Sequence, residues 1–268
     1  MVMPRQTPKT REEMFLADLE SKIAHRADLI WWFTEGARNS ACKRHPEFIN
    51  KSFWVLPGSS QVSGEQCHPQ PSKLSFGHFG SLTENRSLST FLWGLNKWLL
   101  KNPRHRERVE VHLYGGKPDQ STQKTVQKLG VGDIVQTHGR TERSSVTGKS
   151  GRQQIQGEMS KMTCLLIPHG KGADCAEYIP SKFYDYLWAK RPIFVLSTGN
   201  PQFEKLIKDR QGWIVDFHDT DQVERAIAEL VNLWESGRLD STWKHEPISS
   251  ESCVETILNK LHEVKSSY

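Results

Sequence analysis

From residue 73 onward the sequence switches regularly between short apolar runs and longer amphipathic ones. This alternation narrows the available folds more than any other feature. The runs at 73–80 (KLSFGHFG), 109–116 (VEVHLYGG), 133–137, 163–170 (TCLLIPHG), 192–197 (PIFVLS) and the segment GWIVDF read as strands, being short and mostly rich in β-branched or aromatic residues. Between them, 85–102, a stretch around 119–129, 180–190, NPQFEKLIKDR and DQVERAIAELVNLWESG carry helical spacing, and a last helix is predicted over roughly 249–265. Strands and helices alternating at this length predict an α/β fold, a Rossmann-like parallel sheet flanked by helices. The strands before Gly80, Gly115 and Gly170 run into glycine-containing loops. Open parallel sheets bind ligands at the carboxyl ends of their strands. The loops at 77–86, 138–143 and 169–182 are therefore expected along one rim.

The front of the chain is shorter in pattern. Residues 11–25 predict a helix, 27–34 (ADLIWWFT) a buried strand, EGARNSACKRH a short helix stopped by Pro46, and 52–60 a strand ending in a Pro-Gly turn. Residues 57–73, rich in Pro, Gly, Ser and Gln, read as a linker. The expected organisation is a front unit with its linker over 1–71, a ligand-binding Rossmann-like domain over 72–248 and a carboxyl-terminal helix over 249–268. A chain of 268 residues has room for one large domain or two modest ones.

Composition narrows the classes. No run approaches the roughly 20 apolar residues that span a bilayer, and the first fifteen residues hold no apolar signal core. Cys42, Cys67, Cys164, Cys175 and Cys253 are scattered and odd in number, without a Cys-x-x-Cys. They read as reduced thiols in a cytoplasmic protein rather than a disulfide frame or a zinc site. The net charge of +5 is uneven: residues 72–160 carry 14 Lys/Arg against 7 Asp/Glu, and 161–268 carry 13 against 16. A basic half suits a phosphate-bearing ligand or peripheral contact with an anionic membrane, and equally a solvated charged face. No recognised nucleic-acid motif accompanies it, so no nucleic-acid partner is expected.

Two stretches carry candidate chemistry. In GHFGSLTENRS (77–87) a strand enters a glycine turn and a helix is predicted to begin near Asn85. Amide groups at a helix start attract phosphate, and Arg86 adds a charge. A plain strand–turn–helix join, with Thr83 or Asn85 as N-cap, explains the same residues. In CAEYIPSKFYDYLWAKRPIFVL (175–196) a helix beginning near Pro180 puts Asp185 in its second turn and leaves Glu177 in the loop before it. Both carboxylates can face one cleft and accept ligand hydroxyls, with Lys182 near a phosphate. Alternatively Glu177 caps the helix and Asp185 is solvated. Other motifs fail. TGKS (147–150) is similar to a P-loop, but the required earlier glycine is Arg143, which leaves a flexible basic loop. The eleven His residues show no metal-binding spacing, and no GxSxG occurs.

Taken together, LSFGHFGSL with Arg86, VEVHLYGG, VQTHGR, CLLIPHG and EYIPSKFYDYLWAKRPIFVL resemble the carboxyl-terminal domain of GT-B glycosyltransferases, most closely the glycosyltransferase 4-like group. The resemblance covers about residues 72–265. It rests on an acid, seven residues and a second acid ahead of a turn and Pro192, here Glu177 and Asp185. It implies transfer of a sugar from a nucleotide-diphosphate donor to an acceptor hydroxyl in glycan or polysaccharide synthesis, with no metal and no cofactor beyond the donor. Glu177 would hold sugar hydroxyls, and Asp185 the ribose. Ile179, Pro180 and Ser181 would bring backbone groups to the sugar and diphosphate. Gly80 and Ser81 would cradle the diphosphate, with Arg86 or Lys182 as its cation. His138, Gly139 and Arg140 would lie near the base. The sequence departs from the family at Asp185, one methylene shorter than Glu, at Tyr178-Ile179 and at Gly80-Ser81. Residues 11–60 resemble only the end of the family's amino-terminal, acceptor-side domain, so no catalytic base is assigned. The alternative is a catalytically silent nucleotide-sugar-binding module completed by a partner chain.

Overall fold

The computed structural model describes residues 10–62, 67–170 and 173–265. The front unit contains helix α1 (Arg11–Arg26), strand β1 (Ile30–Trp32), helix α2 (Glu35–Arg44) and strand β2 (Ser52–Trp54). α1 opens on a capping box in which Thr10 and Glu13 each accept from the other's backbone N–H. β1 and β2 pair in parallel over three residues each. Both are half-exposed, so the buried strand expected over 27–34 is shorter and wetter than its apolar content implied. Among the described residues, Ala24, Ala41 and Phe48 form the buried core beneath them, with Ile30, Trp32 and Cys42 packed against it, and Trp54 and Phe33 remain exposed.

The main body is one six-stranded parallel sheet. In chain order its elements are β3 (Leu74–Phe79), α3 (Ser89–Lys101), β4 (Val109–Tyr114), α4 (Gln120–Leu129), β5 (Val135–Gly139), α5 (Gly151–Lys161), β6 (Cys164–Gly170), α6 (Ser181–Ala189), β7 (Ile193–Ser197), α7 (Pro201–Asp209), β8 (Trp213–Val215) and α8 (Thr220–Glu235). The spatial order is β5-β4-β3-β6-β7-β8, the doubly wound Rossmann arrangement. The central strands are buried on both faces, as parallel strands flanked by helices must be. Successive residues of β6 show this: Cys164 and Leu166 enter the core with α3 and α8, while Leu165 and Ile167 enter the core with α6 and α7. Short α9 (Leu239–Thr242) follows α8, and α10 (Ser250–Lys265) closes the described chain.

Three elements differ from expectation. α3 begins at Ser89, not near Asn85, and its N-cap position is Leu88, without a side-chain cap. Neither Thr83 nor Asn85 is the cap, because a Thr83–Arg86 bridge turns the chain first and the Ser87 hydroxyl pairs with Thr122. α5 was not foreseen. Its sequence, GRQQIQGEMSK, has too few apolar residues for a helical stripe, yet Ser150 and Gln153 form a capping box at its start. The Ser150 of the supposed basic loop is thus a helix cap. Part of the predicted linker is structured: Ser59 pairs with Ser249, and Trp188 donates its indole N–H to the Ser59 carbonyl at 2.8 Å. The end of the chain is thereby tied to the strap that follows β2.

Candidate functional site

β3 and β6 are sequence-distant neighbours at the centre of the sheet, and the winding reverses between them. At such a point the loops part and leave a crevice at the strands' carboxyl ends. Glycines shape it here. Gly80 has φ +133° and Gly170 φ +109°, in the region that disfavours side chains. A Cβ on Gly170 would stand 2.7 Å from the Asn85 carbonyl oxygen, so the loop after β3 lies directly on the end of β6. A Cβ on Gly80 would stand 3.0 Å from Lys182 Nζ. Lys182, in the first turn of α6, therefore holds its ammonium over Gly80.

Arg86 approaches the same crevice. It donates to the Tyr178 hydroxyl, and its guanidinium carbon lies 5.5 Å from the centre of that ring. Burial, with Arg86 nearby, pushes the Lys182 pKa down to about 8. Among the described residues no carboxylate pairs with Lys182 or Arg86. Two neighbouring cations with no carboxylate partner among the described residues, over a glycine turn, have the chemistry to hold an anion. Two buried imidazoles flank it. Burial holds His78 well below its usual pKa and lowers His169 to about 4. Both are neutral at pH 7.

The loop carrying Glu177 lies beside this cluster. Its seat comes from the front unit: Ser40 donates to the Glu177 carboxylate, Thr34 donates to the Glu177 carbonyl, and a Cβ on Gly36 would be 3.5 Å from Glu177 Cα. Ile179 and Pro180 are buried, Pro180 as the N-cap residue of α6, and Ser181 is exposed at the first helical position. Ser81 is exposed beside Gly80. Asp185 makes an ion pair with Arg152 of α5 at 3.1 Å. It is therefore not merely solvated.

The third group separates. Gly139 ends β5, and its carbonyl accepts from the Gly115 N–H at 2.7 Å, while Arg140 is exposed just beyond. His138 instead turns onto the sheet face. It stacks on Tyr114 at 4.2 Å and meets His112 across a 2.9 Å ring-nitrogen contact. These rings line a cavity of about 610 Å³ with Lys73, Glu110 and Glu158, which Gly80, Arg86 and Lys182 do not line. The structure thus gathers Gly80, Ser81, Arg86, Lys182 and the Glu177 loop, and sets the His138 side chain apart. Sequence reasoning noted Tyr178 only as a departure from the family pattern and missed His78, Asn200, Thr34 and Ser40, while His169 at a strand end reads as a loop hydrogen bonder and does bond the Cys175 carbonyl. Thr34 and Ser40 are brought in across more than 130 residues, so no local signal exists for them.

No protein-family model matches the sequence, and no curated protein matches it. Solved structures do. Anabaena HepE, in complex with UDP and glucose, superposes with TM-score 0.64 at 12% identity over 95% of this chain and 67% of that one. TarM of S. aureus gives 0.67 at 14% identity, over 96% of this chain and 48% of its own. WaaG, a glycosyltransferase involved in lipopolysaccharide biosynthesis, gives 0.60 at 14%, over 87% and 61%. The fold is that of the GT-B glycosyltransferases, with the six-stranded body as a Rossmann-like domain. The chain spans about half to two thirds of the length of these structures.

Proposed function

We propose that this chain binds a nucleotide-diphosphate sugar and serves in transferring the sugar to an acceptor hydroxyl during glycan or polysaccharide synthesis. One observation carries the reading. Lys182 and Arg86 converge over Gly80, with no ion pair to a carboxylate among the described residues, and the Glu177 loop adjoins them. A diphosphate fits two cations and a glycine turn, and a hydroxyl-rich ring fits an adjacent carboxylate. The two cations would stabilise charge on the departing diphosphate as the acceptor oxygen attacks the anomeric carbon. Asp185 would meet the ribose, and Gly139 and Arg140 the base. HepE, with the same fold, holds UDP and glucose. The reading uses no metal and no cofactor beyond the donor. It places the protein in the cytoplasm, in keeping with its free cysteines. No described helix is long and apolar enough to cross a membrane.

Calorimetry with UDP-, GDP- and ADP-glucose tests the proposal. At least one should bind, and Glu177→Ala and Arg86→Ala should each weaken it about tenfold, near 1.4 kcal/mol, while the protein stays folded. Affinity unchanged from the natural chain in both variants rejects the site.

A further inference from the structure

The segment around Glu177 is held from behind by a buried knot that none of the roles above uses. Asn200, in the turn between β7 and α7, is 1% exposed. Its side-chain NH₂ donates to the Cys175 carbonyl at 2.7 Å and to the Tyr178 carbonyl at 2.8 Å. Those two carbonyls bracket Glu177. Its side-chain oxygen accepts from the Phe203 N–H at 2.9 Å and so caps α7. His169, fully buried, adds a second donor to the Cys175 carbonyl, Nε2 to O at 2.7 Å. This fixes the imidazole as the Nε2–H tautomer and leaves Nδ1 buried without a hydrogen-bond partner among the described residues. The His169 ring also meets the Tyr178 ring at 4.8 Å, edge to face. Cys175 closes the knot by donating its thiol to the His169 carbonyl at 3.3 Å.

A helix needs only an oxygen at its cap. The Asn200 side chain supplies that oxygen and spends both of its N–H donors on the loop. The loop's far side is the part that faces the ligand crevice: Glu177 meets Ser40, and the Tyr178 hydroxyl accepts from Arg86. We propose that Asn200, with His169 behind it, is the positioning residue for sugar recognition, holding the Glu177–Tyr178 segment at the height where the Glu177 carboxylate meets the sugar ring. The inference rests on the donor-site reading above. Ligand binding by the natural chain tests that reading, and amide exchange at 175–178 tests the clamp.

Asn200→Ser separates the roles. Serine keeps a capping oxygen for α7 and introduces no buried charge, but it cannot span both carbonyls. Asn200→Asp is the second variant: it keeps the cap and the shape, and replaces the two donors by an acceptor. UDP-glucose and UDP are the probes. In both variants UDP-glucose affinity is expected to fall at least tenfold further than UDP affinity does. Amide exchange at residues 175–178 is expected to quicken while α7 stays protected. An equal loss for the two ligands overturns the positioning role, because general loosening does not distinguish the sugar. Unchanged exchange at 175–178 overturns the clamp itself, whatever ligand the protein binds. A wild-type chain that binds neither probe defeats the UDP-sugar reading and the sugar-positioning role together, while the exchange result still decides whether Asn200 holds the loop.

Discussion

Lys182 offers the most demanding test of the site, because the reading makes it costly to the protein without ligand. Its ammonium is partly buried beside Arg86, and its pKa is lowered from the usual 10.5 to about 8. A lysine whose folded pKa lies below its unfolded value binds fewer protons in the folded state between those two values. Stability therefore rises with pH across that window, from about 8 to 10.5. Below pH 8 the full penalty is present. At 1.36 kcal/mol per pKa unit it is about 3 kcal/mol as an upper figure, and partial solvation brings it nearer 1–2. Lys182→Met keeps most of the side chain's length and removes the charge. The variant is expected to be more stable than the natural chain at pH 7 by about 1–3 kcal/mol, a rise of several degrees in melting temperature at about 2–4 °C per kcal/mol. That advantage should shrink as pH climbs from 8 toward 10.5, and the natural chain's affinity for UDP should weaken over the same range as the ammonium loses its proton. UDP binding by the variant should fall at least tenfold at pH 7. Paired denaturant titrations between pH 6 and 10 measure the difference, with other alkaline titrations cancelling between the two proteins. A variant less stable at pH 7, or a difference flat with pH, would show that Lys182 is not a desolvated cation awaiting an anion.

Two further outcomes follow from the same geometry. Gly80→Ala puts a side chain at φ +133° and 3.0 Å from the Lys182 ammonium. It should lower stability by about 1–3 kcal/mol and weaken UDP binding by displacing that ammonium, read by calorimetry and thermal melting. Asp185→Asn removes an exposed ion pair with Arg152, so stability should change by less than about 1 kcal/mol. UDP affinity should drop about tenfold if the carboxylate holds the ribose, and unchanged affinity would reduce Asp185 to a partner for Arg152.

Much of the fold was legible because the core is written locally. Leu74–Phe79, Cys164–Gly170 and Ile193–Ser197 are short, mostly apolar runs without charged residues, and such runs have few places to go except strands covered on both faces. Gly80 and Gly170 were legible as loop glycines, and the φ values explain them. α5 was not legible, because Gly151–Lys161 is held by its cap and by a few contacts at Ile155, Met159 and Met162 rather than by an apolar stripe. The start of α3 was misplaced for a related reason. The Leu88 N–H donates to the Thr122 hydroxyl, 34 residues on, and this bond fixes where the loop gives way to the helix; helical propensity does not register it.

The candidate site divides along the same line. The sequence by itself determined a parallel α/β body, a rim of glycine loops and a short list of charged residues on that rim. These follow from periodicity and from the backbone conformations that only glycine adopts readily. The tertiary structure alone decided which of those residues meet. It brought Lys182 over Gly80 from more than 100 residues away, set Ser40 against Glu177, tied the Glu177 loop to Asn200, and turned His138 toward a separate cavity. Proximity across the winding reversal between β3 and β6 depends on strand order. Strand order is fixed by how helices cover the two faces of the sheet, and no single segment of the sequence carries that information.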